Sequence, residues 1–270
     1  MGAWVEAILL GLVQGLTEFL PISSSAHLVI AETFLGVEEP GLTFELLLHF
    51  GSLLAVFVFY WRDIIQIIRA FFTYPFTRRP EDRTEFKFGV FLLISTFITG
   101  VLYVLFGDVL AIYAKSLTVI AVMLFLTGVF LWFIDGAEGR KKEGDLKTSD
   151  SLIIGAAQGL ALLPGISRSG ATVVAALMCG LDKKTALRYS FILAVPIIGG
   201  GAILEGMELL QTGGAYFDPG PYITAIVVSF LSALLGIKWF MNLMERVRLR
   251  PFALYCWAVS GGLLLYTFFG

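Results

Sequence analysis

Six apolar stretches, each close to 20 residues long, constrain this chain more than any other feature. They run approximately over 42–61, 86–106, 117–134, 187–210, 221–241 and 252–269. A helix needs roughly 20 residues to cross a hydrocarbon core of about 30 Å. Composition agrees: 57% of the 270 residues are hydrophobic and 15% charged, against roughly 45–50% and about 25% in a soluble domain. A soluble globular fold and a disordered chain are both excluded. A membrane β-barrel would show short segments alternating polar and apolar, and these runs are unbroken. The expected fold is a single all-α integral membrane domain over residues 1–270.

Two further regions, 3–36 and 151–180, are apolar but interrupted. Pro21-Ile22-Ser23-Ser24-Ser25 breaks the first, and Pro164-Gly165-Ile166-Ser167-Arg168-Ser169-Gly170 breaks the second. Proline lacks the amide donor and glycine favours non-helical angles, so both helices stop there. The pieces beyond the breaks, 26–36 and 170–180, reach only about 16 Å at 1.5 Å per residue, half a membrane. Both regions read as re-entrant helical hairpins.

Charge placement orients the six spans. Of the 19 Lys and Arg residues, 17 fall in or beside the loops 62–85, 135–150 and 242–251 and the turn 181–186, all on one side. Lys115 lies opposite, and Arg168 lies inside the second hairpin. The positive-inside rule makes the basic side cytoplasmic and puts both termini outside. The first residues lack a basic start and a small-residue cleavage site, and Glu6 and Glu18 interrupt them, so they read as mature protein. No solvated basic domain exists to bind nucleic acid. Cys179 and Cys256 sit in apolar runs without a CxxC and read as free thiols.

Shifting the chain by 144 positions aligns 11–36 with 155–180 without a gap, and ten of the 26 positions are identical: Gly11/Gly155, Gln14/Gln158, Gly15/Gly159, Leu16/Leu160, Ile22/Ile166, Ser23/Ser167, Ser25/Ser169, Val29/Val173, Ala31/Ala175 and Gly36/Gly180. Each unit is one hairpin followed by three spans: 1–134 with hairpin 3–36, and 151–270 with hairpin 151–180, joined by a cytoplasmic linker 135–150. Three spans is an odd number, so the two copies are inverted. In transporters built this way broken helices meet near the midplane and form the binding site.

The two breaks carry the chemistry. Arg168 is the one basic residue at membrane depth, where a charge costs about 2.5–3.5 kcal/mol on insertion scales. A helix start offers free N–H groups and the positive dipole end to an anion. Arginine adds a planar fork suited to phosphate, and Ser167, Ser169 and Thr172 add hydroxyl donors. In the other tip Gln14 and Glu18 share a helix face, Ser23, Ser24 and Ser25 start the next helix, and His27 follows one turn in. Glu18 suits either a divalent cation or a general base, with Gln14 as a weak ligand for Mg²⁺ or Ca²⁺. A serine hydroxyl can attack phosphorus once a base, His27 or Glu18, takes its proton. Glu45 and His49, four apart on the next segment, can support the site from behind. Such a site fits a phosphate or diphosphate head whose lipid tail stays in the bilayer.

At these motifs the chain resembles a known family. Gln14-Gly-Leu-Thr-Glu18-Phe-Leu-Pro-Ile-Ser-Ser-Ser-Ala-His27 looks like the (E/Q)xxxE segment and following serine and histidine of the undecaprenyl-diphosphate phosphatases, also called bacitracin-resistance proteins. Pro164-Gly-Ile-Ser-Arg-Ser-Gly-Ala-Thr172 looks like their PGxSRSxxT motif, and Phe191-Ile-Leu-Ala-Val-Pro196 matches as well. The resemblance implies hydrolysis of a C55 polyprenyl diphosphate to the monophosphate, assisted by a divalent cation, at a site open to the outer face of the plasma membrane. That activity recycles carrier lipid for cell-wall synthesis. By position, Glu18 matches the second acid, Ser24 the nucleophile, His27 its neighbour, Arg168 the diphosphate clamp, and Ser167, Ser169 and Thr172 supporting donors. Gln14 departs from the Glu of many members, and Ser25-Ala26 from the more frequent Thr-Gly or Ser-Gly. The rival reading is a lipid-phosphate transporter or flippase. The sequence leaves the oligomeric state open, a homodimer included.

Overall fold

A computed structural model describes residues 2–37, 42–211, 219–246 and 248–269. Inside a bilayer no water is available to backbone amides, so an apolar chain must satisfy them within each segment. Eleven α-helices do this among the described residues: α1 Ala3–Glu18, α2 Ser24–Leu35, α3 Leu42–Phe59, α4 Trp61–Thr77, α5 Arg83–Tyr113, α6 Leu117–Ile134, α7 Thr148–Leu160, α8 Arg168–Met178, α9 Lys183–Gln211, α10 Pro219–Arg246 and α11 Arg250–Phe269. The only strand-like pairing there is an isolated bridge between Lys141 and Leu181.

Among the described residues five helices are each long and apolar enough to cross a membrane: α5, α6, α9, α10 and α11. The stretch read as the span 42–61 is α3, which meets that test only together with α4, across a 79° bend at Tyr60. Residues 61–77 were expected within a loop and form a helix instead. Their polar residues Arg62, Gln66, Arg69, Thr73 and Thr77 fall three and four apart in one stripe, and apart from Asp63 and Tyr74 the rest of the helix is apolar. A polar stripe is what interfacial helices carry, and it explains why α4 does not continue α3. Outward-facing apolar side chains such as Val104 and Phe133, 83% and 84% exposed, are the surface expected of a chain bathed in lipid. The chain is a multi-pass membrane protein.

Both breaks are present: α1 stops at Glu18 and α2 starts at Ser24, while α7 stops at Leu160 and α8 starts at Arg168. Each break begins a few residues before its proline, so Ser24 and Arg168 open helices rather than lie in loops. Ser23 and Ser167, an identical pair of the repeat, play the same part: each caps the next helix, accepting from Ala26 N at 3.5 Å and Gly170 N at 3.1 Å.

The hairpins are held by exchange. α1 packs chiefly on α10, and α7 on α5. Identical pairs of the repeat make both contacts. A Cβ on Gly15 would collide with Ser232 Oγ and the Ser229 carbonyl of α10, and one on Gly155 would lie 2.7 Å from the Ser95 carbonyl of α5. Small residues at four-residue spacing let membrane helices approach this closely. Ser232 Oγ then donates to the Gly11 carbonyl at 3.1 Å, and Thr99 Oγ1 to the Gly155 carbonyl at 3.1 Å. α6 pairs with α11, and α3 lies against both α9 and α10.

One end of the bundle is laced by ions. Arg188 at the start of α9 binds Asp63 of α4 at 2.7 Å, Glu85 of α5 at 3.0 Å and Glu143 of the linker at 2.7 Å. Lys141 reaches Asp150 at 3.2 Å, and Arg250 reaches Asp135 at 3.0 Å. These are the segments that the charge count grouped on one side.

The close approaches generate a test. Gly15→Ala and Gly155→Ala should each destabilise the protein by about 1–3 kcal/mol through overpacking. Gly262→Ala, with no heavy atom within 4 Å of the added methyl, should be neutral or slightly stabilising. Thermal unfolding in detergent measures all three, and equal effects would sink the close-packing account.

Candidate active site

The two tips meet. Ser169 Oγ donates to the Leu20 carbonyl at 2.9 Å, and Ser167 Oγ lies 3.4 Å from the same oxygen. A broken helix frees backbone groups that lipid cannot satisfy, so each tip needs partners. Thr127 of α6 serves the second tip twice, donating to the Gly165 carbonyl at 3.0 Å and accepting from Ser167 N at 3.2 Å. Gly165 has φ +97°, and a Cβ there would press on the Ile120 carbonyl. In the first tip Ser23 is a non-glycine residue at φ +67°. Its carbonyl is bonded by His27 Nδ1 at 2.7 Å.

Beside this junction lies a cavity of about 400 Å³. The first tip contributes Glu18, Ser23, Ser24 and Ser25. The second contributes Ala161, Leu162, Ile166, Ser167 and Arg168. Glu45 and His49 come from α3, Thr99 from α5, Gln158 from α7, and Ile197, Ile198, Gly201 and Ala202 from α9. It uses the first half of α3 and the second half of α9, away from the ends of those helices next to Asp63 and Arg188. α2 and α8 both start at its wall, so two positive dipole ends converge on it.

Glu18 is the hub. Its side chain is fully buried and ion-paired with Arg168, whose own side chain keeps 22% of its surface exposed. Glu18 Oε2 accepts from Ser24 Oγ at 2.7 Å and from Gln14 Nε2 at 2.6 Å. His49 Nδ1 stands 3.4 Å from the same oxygen. A hydroxyl on a carboxylate, beside a guanidinium and two helix starts, is an arrangement able to deprotonate an oxygen nucleophile and hold an anion against it.

The expected site residues therefore divide. Glu18, Ser23, Ser24, Ser25, Ser167 and Arg168 line the cavity. Gln14 sits behind Glu18, and Ser169 joins the tips. Thr172 turns from the cavity, bonding the Arg168 carbonyl at 2.9 Å and Ser190 Oγ at 2.6 Å. His27 is not at the cavity either: its Nε2 meets the Tyr255 hydroxyl at 2.7 Å and its ring stacks on Tyr255. The imidazole beside Glu18 is that of His49. Thr99 was not anticipated, since an isolated threonine inside an apolar span carries no sequence signal. Gln158 was visible only as the repeat partner of Gln14. As for the expected divalent cation, the described residues contain no group of three His, Cys, Asp or Glu side chains placed to hold a metal ion. Both Glu18 oxygens face protein donors, so the donor set does not fit a resident cation.

Comparison with known proteins agrees with the motifs. Residues 7–262 match the family described as bacitracin resistance protein BacA. The chain is 42% identical over 252 residues to an undecaprenyl-diphosphatase 2 of Bacillus thuringiensis (strain Al Hakam), covering 93% of each chain. It is 42% identical over 268 residues to an undecaprenyl-diphosphatase 1 of Shouchella clausii, covering 98% of this chain and 96% of the relative. An undecaprenyl-diphosphatase of Oceanobacillus iheyensis is 40% identical over 266 residues, with the same coverage.

The buried ion pair predicts a double-mutant cycle. Removing one partner of such a pair costs about 3–5 kcal/mol, because the other charge is left uncompensated. Glu18→Ala and Arg168→Ala should each lower stability in detergent by that order, and the double variant by less than the sum of the two. Additive losses would mean that the two charges are not coupled.

Proposed function

The chain belongs to the bacitracin resistance protein BacA family, and on that premise we propose how it dephosphorylates undecaprenyl diphosphate. The hydrogen bond from Ser24 Oγ to Glu18 Oε2, 2.7 Å long, carries the reading. A serine at its ordinary pKa is a weak nucleophile and needs an adjacent base; here the base in contact is Glu18, not His27. In this mechanism the terminal phosphate enters between the starts of α2 and α8, and Arg168 turns its remaining donors onto the phosphate oxygens. Ser24 Oγ attacks the terminal phosphorus as its proton passes to Glu18. The bond from that phosphorus to the bridging oxygen breaks, and undecaprenyl monophosphate leaves with the proton that Glu18 received, so the carboxylate is free again. Water then cleaves the phosphoserine, with Glu18 as base, to release inorganic phosphate.

The charge developing on the transferred group lies among fixed donors in a site walled by Leu162, Ile166, Ile197 and Ile198. Preorganised donors in such surroundings contribute most of the stabilisation in many enzymes. A divalent cation that assists the reaction would travel with the diphosphate as its counter-ion rather than reside on the protein. The polyprenyl tail remains in the bilayer.

We read the architecture as two inverted copies, 1–134 and 151–270, joined by 135–150. The reciprocal packing of α1 on α10 and α7 on α5 supports that reading. From the charge bias we read the ion-laced end as cytoplasmic, both termini as outside and the cavity as open toward the outer face. Carrier lipid released by cell-wall synthesis on that face would then reach the site directly.

Phosphate release from farnesyl and C55 polyprenyl diphosphate by detergent-purified protein tests the mechanism. Ser24→Ala and Arg168→Ala should each lower kcat by about 10²-fold or more, the scale of losing one transition-state donor. Tyr255→Phe, which removes only the hydroxyl bonded to His27 outside the cavity, should stay within about twofold of wild type, its side chain lying beyond the groups that bear the charge. Near-native turnover of Ser24→Ala would move the attack to a water held by Glu18. No release from folded wild-type protein would favour the transporter reading.

A further inference from the structure

Gln14 lies one helical turn before Glu18 and is completely buried. Its Nε2 is 2.6 Å from Glu18 Oε2, 2.8 Å from His49 Nδ1 and 3.5 Å from Ser52 Oγ. An ionised carboxylate only accepts hydrogen bonds, so the amide cannot be turned over: Oε1 in that place would face Glu18 oxygen to oxygen. The orientation is therefore fixed by chemistry rather than by choice of labels. It leaves Gln14 Oε1 without a hydrogen-bond partner among the described residues. The amide hydrogens also decide the imidazole, since Nδ1 of His49 must accept and its proton then sits on Nε2.

A carboxylate oxygen, an imidazole nitrogen and a hydroxyl oxygen around one point are ligand types that divalent cations take. The point is occupied here by a nitrogen, at hydrogen-bond distances rather than the shorter metal–ligand ones. We propose that the Gln14 amide stands in for a cation. It is a tethered, neutral donor that holds Glu18 and His49 together, so that this chain's site keeps no resident metal ion.

Charge arithmetic supports the exchange. Arg168 already balances Glu18, and His49 is neutral with Nδ1 accepting. Among the described residues the other carboxylate in the cavity wall is Glu45. An acid at position 14 would set a second carboxylate within hydrogen-bond range of Glu18, and two such groups cannot both ionise without a proton or cation between them. Glutamine removes that requirement. One residue type at position 14 thus decides whether the site is built around a metal ion or around an amide.

The inference rests on the diphosphatase reading of the cavity, but cation binding can be measured without substrate. Purified protein would be stripped with EDTA, exchanged into chelator-free detergent buffer and titrated with Mn²⁺, followed by electron paramagnetic resonance, with thermal unfolding recorded with and without Mg²⁺. Wild type should bind no stoichiometric Mn²⁺ and unfold at the same temperature in both conditions. Gln14→Glu should bind one Mn²⁺ per chain and gain a Mg²⁺-dependent rise in unfolding temperature. Gln14→Ala, which removes the amide and leaves its space, is the second variant and should also gain Mn²⁺ binding. Stoichiometric Mn²⁺ on wild type, lost in Glu18→Gln, would overturn the proposal, as would a folded Gln14→Glu protein that ignores cations. Phosphate release assayed on the same samples separates the two readings: wild type that neither binds Mn²⁺ nor releases phosphate overturns the diphosphatase reading and leaves the amide's role intact.

Discussion

A bilayer tolerates a buried charge only in company, and the meeting of Glu18 with Arg168 is the company around which this molecule is arranged. Neither residue could lie at that depth alone. To bring them together, two helices must stop midway, turn and start again, and each interruption exposes backbone groups that lipid cannot satisfy. The partners of those groups come from every side: Ser169 on the Leu20 carbonyl, Thr127 on both faces of the second tip, Cys256 Sγ 3.8 Å from the Pro21 carbonyl. The hairpins are in turn clamped by glycines that admit α10 and α5 to backbone contact. The ion pair, the tips and the close-packed helices form one dependency, in which loosening any member strands a polar group in apolar surroundings.

Much of this was legible in the sequence because membrane constraints write in long, coarse strokes. Twenty apolar residues announce a helix, and 117–134 is α6 to the residue. Proline and glycine announced the breaks, and the repeat paired positions that the structure then uses alike, Ser23 and Ser167 both capping a helix. What stayed hidden depended on rotation and on partners distant in sequence. The helix at 61–77 carries too many polar residues to read as a span, yet its stripe is periodic and could have been found by that period. His27 looked like the site's imidazole because it follows the serines closely in sequence. On α2, however, it lies one turn on and faces Tyr255, while His49 arrives beside Glu18 from another helix. Thr172 likewise belongs to the family motif yet spends its hydroxyl on α8 and Ser190, which suggests that its place in the motif reflects positioning of the Arg168 turn.

The deeper regularity is that the cavity has two walls of like backbone and unlike chemistry. The aligned positions 18 and 162 both line it, one as Glu and the other as Leu. Positions 24 and 168 both open a helix there, one as Ser and the other as Arg. Positions 14 and 158 are both buried glutamines, but one bonds an acid and an imidazole and the other bonds Thr99 at 3.0 Å. Repetition supplied two helix starts facing one space, which is already an anion site by its dipoles. An anion site alone serves a transporter as well as an enzyme. On the proposed mechanism the step toward hydrolysis lies in the differences: Glu18 and Ser24 as base and hydroxyl on one wall, and on the other Arg168, which neutralises that base in the resting site and would grip phosphate once it fills. In the mechanism proposed above, a guanidinium bound to Glu18 alone holds that base in check. Once phosphate oxygens share the guanidinium's remaining donors, its hold on the carboxylate loosens and Glu18 takes the proton of Ser24, so the ion pair that stabilises the resting fold also restrains the nucleophile's base.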